Sequence, residues 1–258
     1  MSFKFVTLYG IVVILTSLFF QFVPLPKMLA WEELLLSKLL NQAPVLLCMG
    51  YLWVQRKRIK NPDIFYLVMM FLFLNVFSEI YYYSVNAESL LAVNIFNNSL
   101  IYTVLLTLLI KQRVKLRDQV VNVKNISYAT FTGVLFVIGF SFSLLKVYQE
   151  YYVSNKLFFF IVLLAMVITT ISVCMSFFVD KAFSKNWYKI ILGTIAIAVL
   201  DIYVYLSLFV FATYTAFLYT IGKLVFSIGL LLIVDISMRK CLNKTYLAVA
   251  YKRVSKTP

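Results

Sequence analysis

Eight stretches of mostly apolar residues, each close to the length needed to cross a bilayer, follow one another along the chain with short polar connections between them. A helix must carry about 20 predominantly apolar residues to span the hydrocarbon layer, and no backbone polar group can be left unpaired there. That pattern predicts an all-α, polytopic transmembrane helix bundle. The segments run approximately 5–23, 37–55, 64–84, 90–110, 127–148, 157–179, 188–211 and 215–237. The second is the least regular. Pro26 to Leu40 has amphipathic character of its own, and an interfacial helix there would leave seven spans instead of eight. Composition agrees: 63% of residues are apolar or aromatic, 13% are charged, and mean hydropathy is +0.92, whereas a soluble chain carries about 25% charged residues.

The net charge of +14 reads as topology. Lys and Arg concentrate in the cytoplasmic loops of membrane proteins. Lys4, the Arg56–Lys60 turn, the Lys111–Lys124 connection, the Lys181–Lys189 connection and the tail from Arg239 together hold 19 of the 24 basic residues. Lys27, Lys38, Lys146 and Lys156 fall on the other side. Both termini are therefore expected in the cytoplasm, with the protein in the cell's inner membrane. Residues 1–238 form the expected membrane domain, and 239–258 a basic cytoplasmic tail. Nucleic acid is not an expected partner, because the charges lie between apolar blocks and not on a soluble basic face. Membrane lipid is the expected contact of the basic segments.

The absence of histidine removes Ser-His-Asp and Cys-His catalysis and His-ligated metals. Cys48, Cys174 and Cys241 lack the spacing of a zinc or iron–sulfur site. Neither metal nor cofactor is expected, and the cysteines read as apolar fillers or inert thiols. Chemistry is left to polar residues at membrane depth, where one charge raises the insertion free energy by about 2.5–3.5 kcal/mol or more. Three such residues stand out: Glu79 in the third segment, Asp201 in the seventh and Lys223 in the eighth. At about 1.5 Å per residue, all three fall at mid-depth or in the outer half. Polar neighbours repeat at helical spacing around them. Asn75 lies one turn before Glu79; Asn94, Asn98 and Tyr102 form an i, i+4 stripe, as do Asp201 and Tyr205, and Tyr219, Lys223 and Ser227. Asp235, near the end of the last segment, can reach Arg239 at i+4.

The order of these features resembles the YhhN family, the lysoplasmalogenase-like integral membrane proteins. The family's Lys-Pro at the second helix corresponds to Ala43-Pro44, its Gly-Asp in the third to Ser78-Glu79, and its His and Tyr in the fourth to the region of Asn98, Ser99 and Tyr102. Its Ser-Asp in the seventh corresponds to Leu200-Asp201, and its Tyr-Tyr-x-x-Gln in the eighth to Tyr219-Thr220 and Lys223. The resemblance implies eight helices with both termini inside, and hydrolysis of the vinyl-ether bond of a lysolipid substrate. Glu79 and Asp201 would then be the catalytic acids, with Asn75, Asn98, Tyr102, Tyr219 and Lys223 in support. Such a bond is cleaved by protonating its double bond and adding water to the oxocarbenium ion, so a proton donor and a water-activating carboxylate suffice.

The same residues admit other readings. A non-catalytic scaffold, or a subunit bound to a membrane protein partner, would use a buried Lys223–carboxylate pair to fix helix register. A transporter or channel would use the charges to bind ions. A retinal protein would use Lys223 for a Schiff base and a carboxylate as its counterion.

Overall fold

The computed structural model describes residues 1, 3–22, 40–81, 87–112, 123–179, 188–211 and 216–242. These residues are almost entirely helical, with no strand among them. Eight α-helices are described: α1 (Phe3–Phe22), α2 (Ala43–Gln55), α3 (Pro62–Tyr81), α4 (Ala87–Gln112), α5 (Val123–Tyr151), α6 (Lys156–Ser176), α7 (Tyr188–Leu206) and α8 (Ala216–Leu242). Each coincides with one expected segment to within a few residues, except that α2 starts six residues later than expected. The Pro26–Leu40 amphipathic stretch lies, apart from Leu40, outside the described residues, as do residues 113–122 and the tail beyond Leu242.

Local chemistry sets the helix ends. Pro44 and Pro62 occupy first-turn positions, where a missing N–H leaves no helical bond unmade. Asn155 caps α6, its side chain accepting from Phe158 N at 3.1 Å. The helix α7 widens at its end into a π-turn over Ser207–Phe211.

Five helices are long and apolar enough to cross a membrane, over Leu91–Lys111, Lys124–Tyr151, Lys156–Ser176, Tyr188–Phe211 and Thr220–Leu242. That is fewer than the eight expected. In α1 and α3 the described apolar stretches, Phe3–Leu18 and Pro62–Phe77, are shorter. With 13 residues, α2 extends only about 20 Å, against a hydrocarbon layer of about 30 Å. The bundle's outside is apolar: Leu8, Ile11 and Leu15 on α1 and Phe131, Leu135, Ile138 and Phe142 on α5 are all exposed. So much contiguous apolar surface suits lipid and not water.

Two helices sit at the centre of the packing. α8 contacts α1, α2, α3 and α7, while α6 contacts α4, α5 and α7. α7 and α8 meet most intimately, through glycines. A Cβ on Gly193 would stand 2.7 Å from the Gly229 carbonyl oxygen, and one on Gly229 would stand 2.8 Å from the Gly193 oxygen. Seven residues along each helix in opposite directions, Gly222 faces Leu200, whose Cδ1 would lie 2.5 Å from an added Cβ. Small residues let backbones approach closely where lipid supplies no hydrophobic drive for helices to associate.

Alternate helix ends gather at one end of the bundle. Asp235 receives the Met1 amine at 3.0 Å, Lys189 Nζ at 3.2 Å and Arg239 at 3.1 Å. The backbone N–H groups of Lys60 and Asn61 donate to the Cys241 carbonyl, and Lys111 pairs with Asp63 at 2.7 Å. The starts of α1, α3 and α7 thus share an end with the finishes of α2, α4 and α8. Lys60, Lys111, Lys189 and Arg239, each from a basic segment assigned to one side by sequence, lie at this end.

Substituting Gly193 or Gly229 by Val is expected to force α7 and α8 apart and destabilise the protein by about 1–3 kcal/mol. Gly50→Ala, where an added Cβ meets nothing within 4 Å, should be neutral or stabilising by up to about 1 kcal/mol. Unfolding of the purified variants in mixed micelles checks the contrast.

Candidate functional site

Where α4, α6, α7 and α8 converge, a polar cluster is built around Asp201. The i, i+4 spacing of Asn98 and Tyr102 on α4 turns both toward α7. Tyr102 is completely buried and donates from its hydroxyl to Asp201 Oδ2 in a short hydrogen bond. The Asn98 side chain is within hydrogen-bonding reach of the same carboxylate, and Lys223 of α8 lies within electrostatic reach. Behind Tyr102, Ser172 of α6 donates to the Tyr102 carbonyl at 3.2 Å while also bonding its own helix at Ile168, 2.8 Å away.

Tyr205 extends the cluster by one turn of α7. Its ring meets Phe140 edge-on at 5.6 Å and stacks on Phe209 at 6.1 Å. Its hydroxyl lies near Asn98 and Asp201 but makes no hydrogen bond of good geometry. Asp201 itself is half-buried, so the cluster is set into the protein without being sealed from its edge.

Lys223 also lines a narrow crevice together with Thr16, Asn41, Thr220 and Ser227. Its ammonium stands 5.8 Å from the centre of the Phe226 ring. The crevice holds about 20 Å³, room for a single water, since one water needs about 10–15 Å³ on this measure. A lysolipid needs far more, because pockets for drug-sized ligands run to about 300–1,000 Å³.

Of the residues expected at a site, Asn98, Tyr102, Asp201 and Lys223 come together. Asn75 does not join them: it is buried and donates to the Phe71 carbonyl of its own helix at 2.7 Å. Glu79 and Tyr219 belong to α3 and α8, but their side chains lie outside the described residues. Asn97, next to the stripe in sequence, ties α4 to α3 by donating to the Leu74 carbonyl at 3.2 Å. Ser172 was missed, because a lone serine in an apolar run carries no signal about a neighbouring helix. Lys189, counted in the sequence among the basic residues around the turn into the seventh segment, reaches Asp235 across the helix pair.

Among the described residues, no three His, Cys, Asp or Glu side chains are grouped to hold a metal. Cys48 and Cys241 are buried thiols, and the partly buried Cys174 donates to the Ala129 carbonyl at 3.4 Å. The arrangement can satisfy the Asp201 carboxylate with donors from α4, braced from behind by Ser172 of α6 on the Tyr102 carbonyl and with Lys223 of α8 within electrostatic reach. No family model matches the chain, and neither does any curated protein or solved structure.

Tyr102→Phe, which strips Asp201 of its phenol donor, is expected to destabilise the protein by about 1–3 kcal/mol. Tyr205→Phe removes a hydroxyl with no partner and should change stability by no more than about 0.5 kcal/mol. Parallel unfolding curves for the two variants test the assignment.

Proposed function

We propose that this chain is a non-catalytic integral membrane protein, a scaffold or subunit of a membrane complex, in which buried charges fix the register of the helices. One observation carries the reading. On α7, Lys189 and Asp201 are twelve residues apart; on α8, Lys223 and Asp235 are also twelve apart, and the signs are reversed. Antiparallel packing sets Lys189 against Asp235 in a salt bridge at 3.2 Å and, in the same register, brings Lys223 within electrostatic reach of Asp201. The two charge pairs are about 18 Å apart along the helices. A slip of one turn would break both at once, and the glycine contact between them with it.

The same reading takes the bundle as eight crossings of the inner membrane, with both termini in the cytoplasm. Support comes from the 19 basic residues on one side and from the gathering of alternate helix ends at the end that carries them. A cysteine placed at Lys57 should react with an impermeant maleimide only when the cytoplasmic face is opened. Labelling from outside in intact cells would reverse the orientation.

A second reading, a lysoplasmalogenase-like hydrolase with Asp201 as one of its acids, is favoured by the convergence of Asn98, Tyr102 and Lys223 on Asp201. A double-mutant cycle and an assay separate the two. For register charges, Asp201→Asn and Lys223→Met should each destabilise the fold, with a coupling energy of about 0.5–3 kcal/mol, and the unaltered protein should release no aldehyde from a vinyl-ether lysolipid. Strictly additive effects would sink the register proposal. Aldehyde release that disappears in a stably folded Asp201→Asn variant would establish the hydrolase instead.

A further inference from the structure

Away from the Asp201 cluster, α1 and α2 line an apolar groove of about 540 Å³. Phe5, Leu8 and Val12 of α1 line one wall, with Leu46, Gly50 and Val54 of α2 on the other. At its basic end the rings of Phe5 and Tyr51 lie 4.1 Å apart. On α2 the groove runs from Ala43 to Val54, eleven residue steps and so about 16 Å. Half of a bilayer's hydrocarbon thickness is about 15 Å. The groove is as long as one leaflet is deep.

Its charged end is as specific as its length. α2 runs straight into the 3₁₀ turn Arg56–Arg58, and the antiparallel α1 brings Lys4 to the same level. Lys4, Arg56, Lys57, Arg58 and Lys60 are all exposed, and none of them pairs with a carboxylate among the described residues. Trp53 stands half-exposed one turn from Gly50, with the Arg56 guanidinium 4.5 Å from the centre of its ring. Aromatic rings of this kind settle at the headgroup level, and basic pockets between membrane helices bind anionic headgroups.

We infer that this groove is a binding site for one anionic phospholipid of the leaflet on the basic side, an acyl chain lying between α1 and α2 and the phosphate held by Lys4 and the Arg56–Lys60 turn. Charge complementarity selects the headgroup, and groove length matches the chain. Gly50 matters because it supplies the open space: an added Cβ there meets nothing within 4 Å, so a larger side chain would fill the chain's place without displacing the protein.

The test uses the full chain with Trp31→Phe and Trp187→Phe, leaving Trp53 as the one fluorophore of its kind. It is reconstituted in phosphatidylcholine vesicles containing a minor fraction of either brominated phosphatidylglycerol or brominated phosphatidylcholine. Brominated phosphatidylglycerol should quench Trp53 with a several-fold higher apparent affinity. Each charge removed in Lys57→Gln and Arg58→Gln should lower that preference on the order of five-fold, and Gly50→Leu should abolish it. Leu46→Phe serves as a second filling variant, and circular dichroism verifies that each protein is folded. Equal quenching by both lipids would overturn the site in favour of ordinary surrounding lipid. A preference that survives both filling variants would mean headgroup attraction without a seated chain, and one that survives the charge removals would place the headgroup elsewhere; either overturns the proposal.

Discussion

The close approach of α7 and α8 at Gly193 and Gly229 governs the polar architecture of this bundle. With a side chain at either position the backbones could not come within reach of each other's carbonyls. Seven residues away, the seat of Leu200 over Gly222 repeats the contact in the same antiparallel register. Lys189 is thereby brought to Asp235, and Lys223 to within electrostatic reach of Asp201. In water, burial of apolar faces would drive such a pairing. Within lipid an apolar side chain is indifferent between a neighbouring helix and an acyl chain, so close packing and polar contacts must do it.

From that pair the other helices are attached by polar groups that reach across to a neighbouring helix. α1 is fixed to α8 by the Tyr9 hydroxyl, which donates to the buried Ser227 carbonyl at 2.7 Å, and by the Met1 amine on Asp235. α4 is fixed to α7 by Tyr102 and to α6 by Ser172. α3 and α4 share the Asn97 amide. Each of these contacts joins a side chain of one helix to a carboxylate or a carbonyl of another. A carbonyl already bonded within its helix keeps a second lone pair, which is why apolar segments still offer acceptors for such links.

Much of this was legible in the residues. The eight apolar segments recur as the eight described helices, and the stripe Asn98–Tyr102 and the acid Asp201, singled out as polar residues at membrane depth, meet in the structure. The i+4 link between Asp235 and Arg239 was equally plain, because both residues lie on one helix and their spacing fixes their distance. Contacts between helices were less legible. The amphipathic period gives the direction a side chain takes from its own axis, but not how its helix is rotated against a neighbour. Hence Asn75, on paper a companion of Glu79, bonds back to the Phe71 carbonyl, a local option open to any short polar side chain. Lys189 counted in the sequence only toward the basic side, and nothing there showed that it would meet Asp235 of another helix. Span length was the other shortfall. Hydropathy does not reveal the break inside the second segment, where Leu40 and Asn41 are helical, Gln42 is a turn and α2 begins at Ala43 with Pro44 in its first turn.

The helices differ in how strongly they are specified. α8 has four helical neighbours and carries at both ends charges that other helices answer. α5 presents a broad apolar face outward and is joined to α6 and α7 largely by aromatic and aliphatic contacts such as Phe140 against Tyr205. In a membrane such contacts compete with lipid on nearly equal terms. The register of the bundle is therefore set most strongly at the charged and glycine-lined pair at its centre. A charge at membrane depth is unfavourable for insertion, but it gives the assembled bundle what an additional leucine does not: a large free-energy difference between one register and the next.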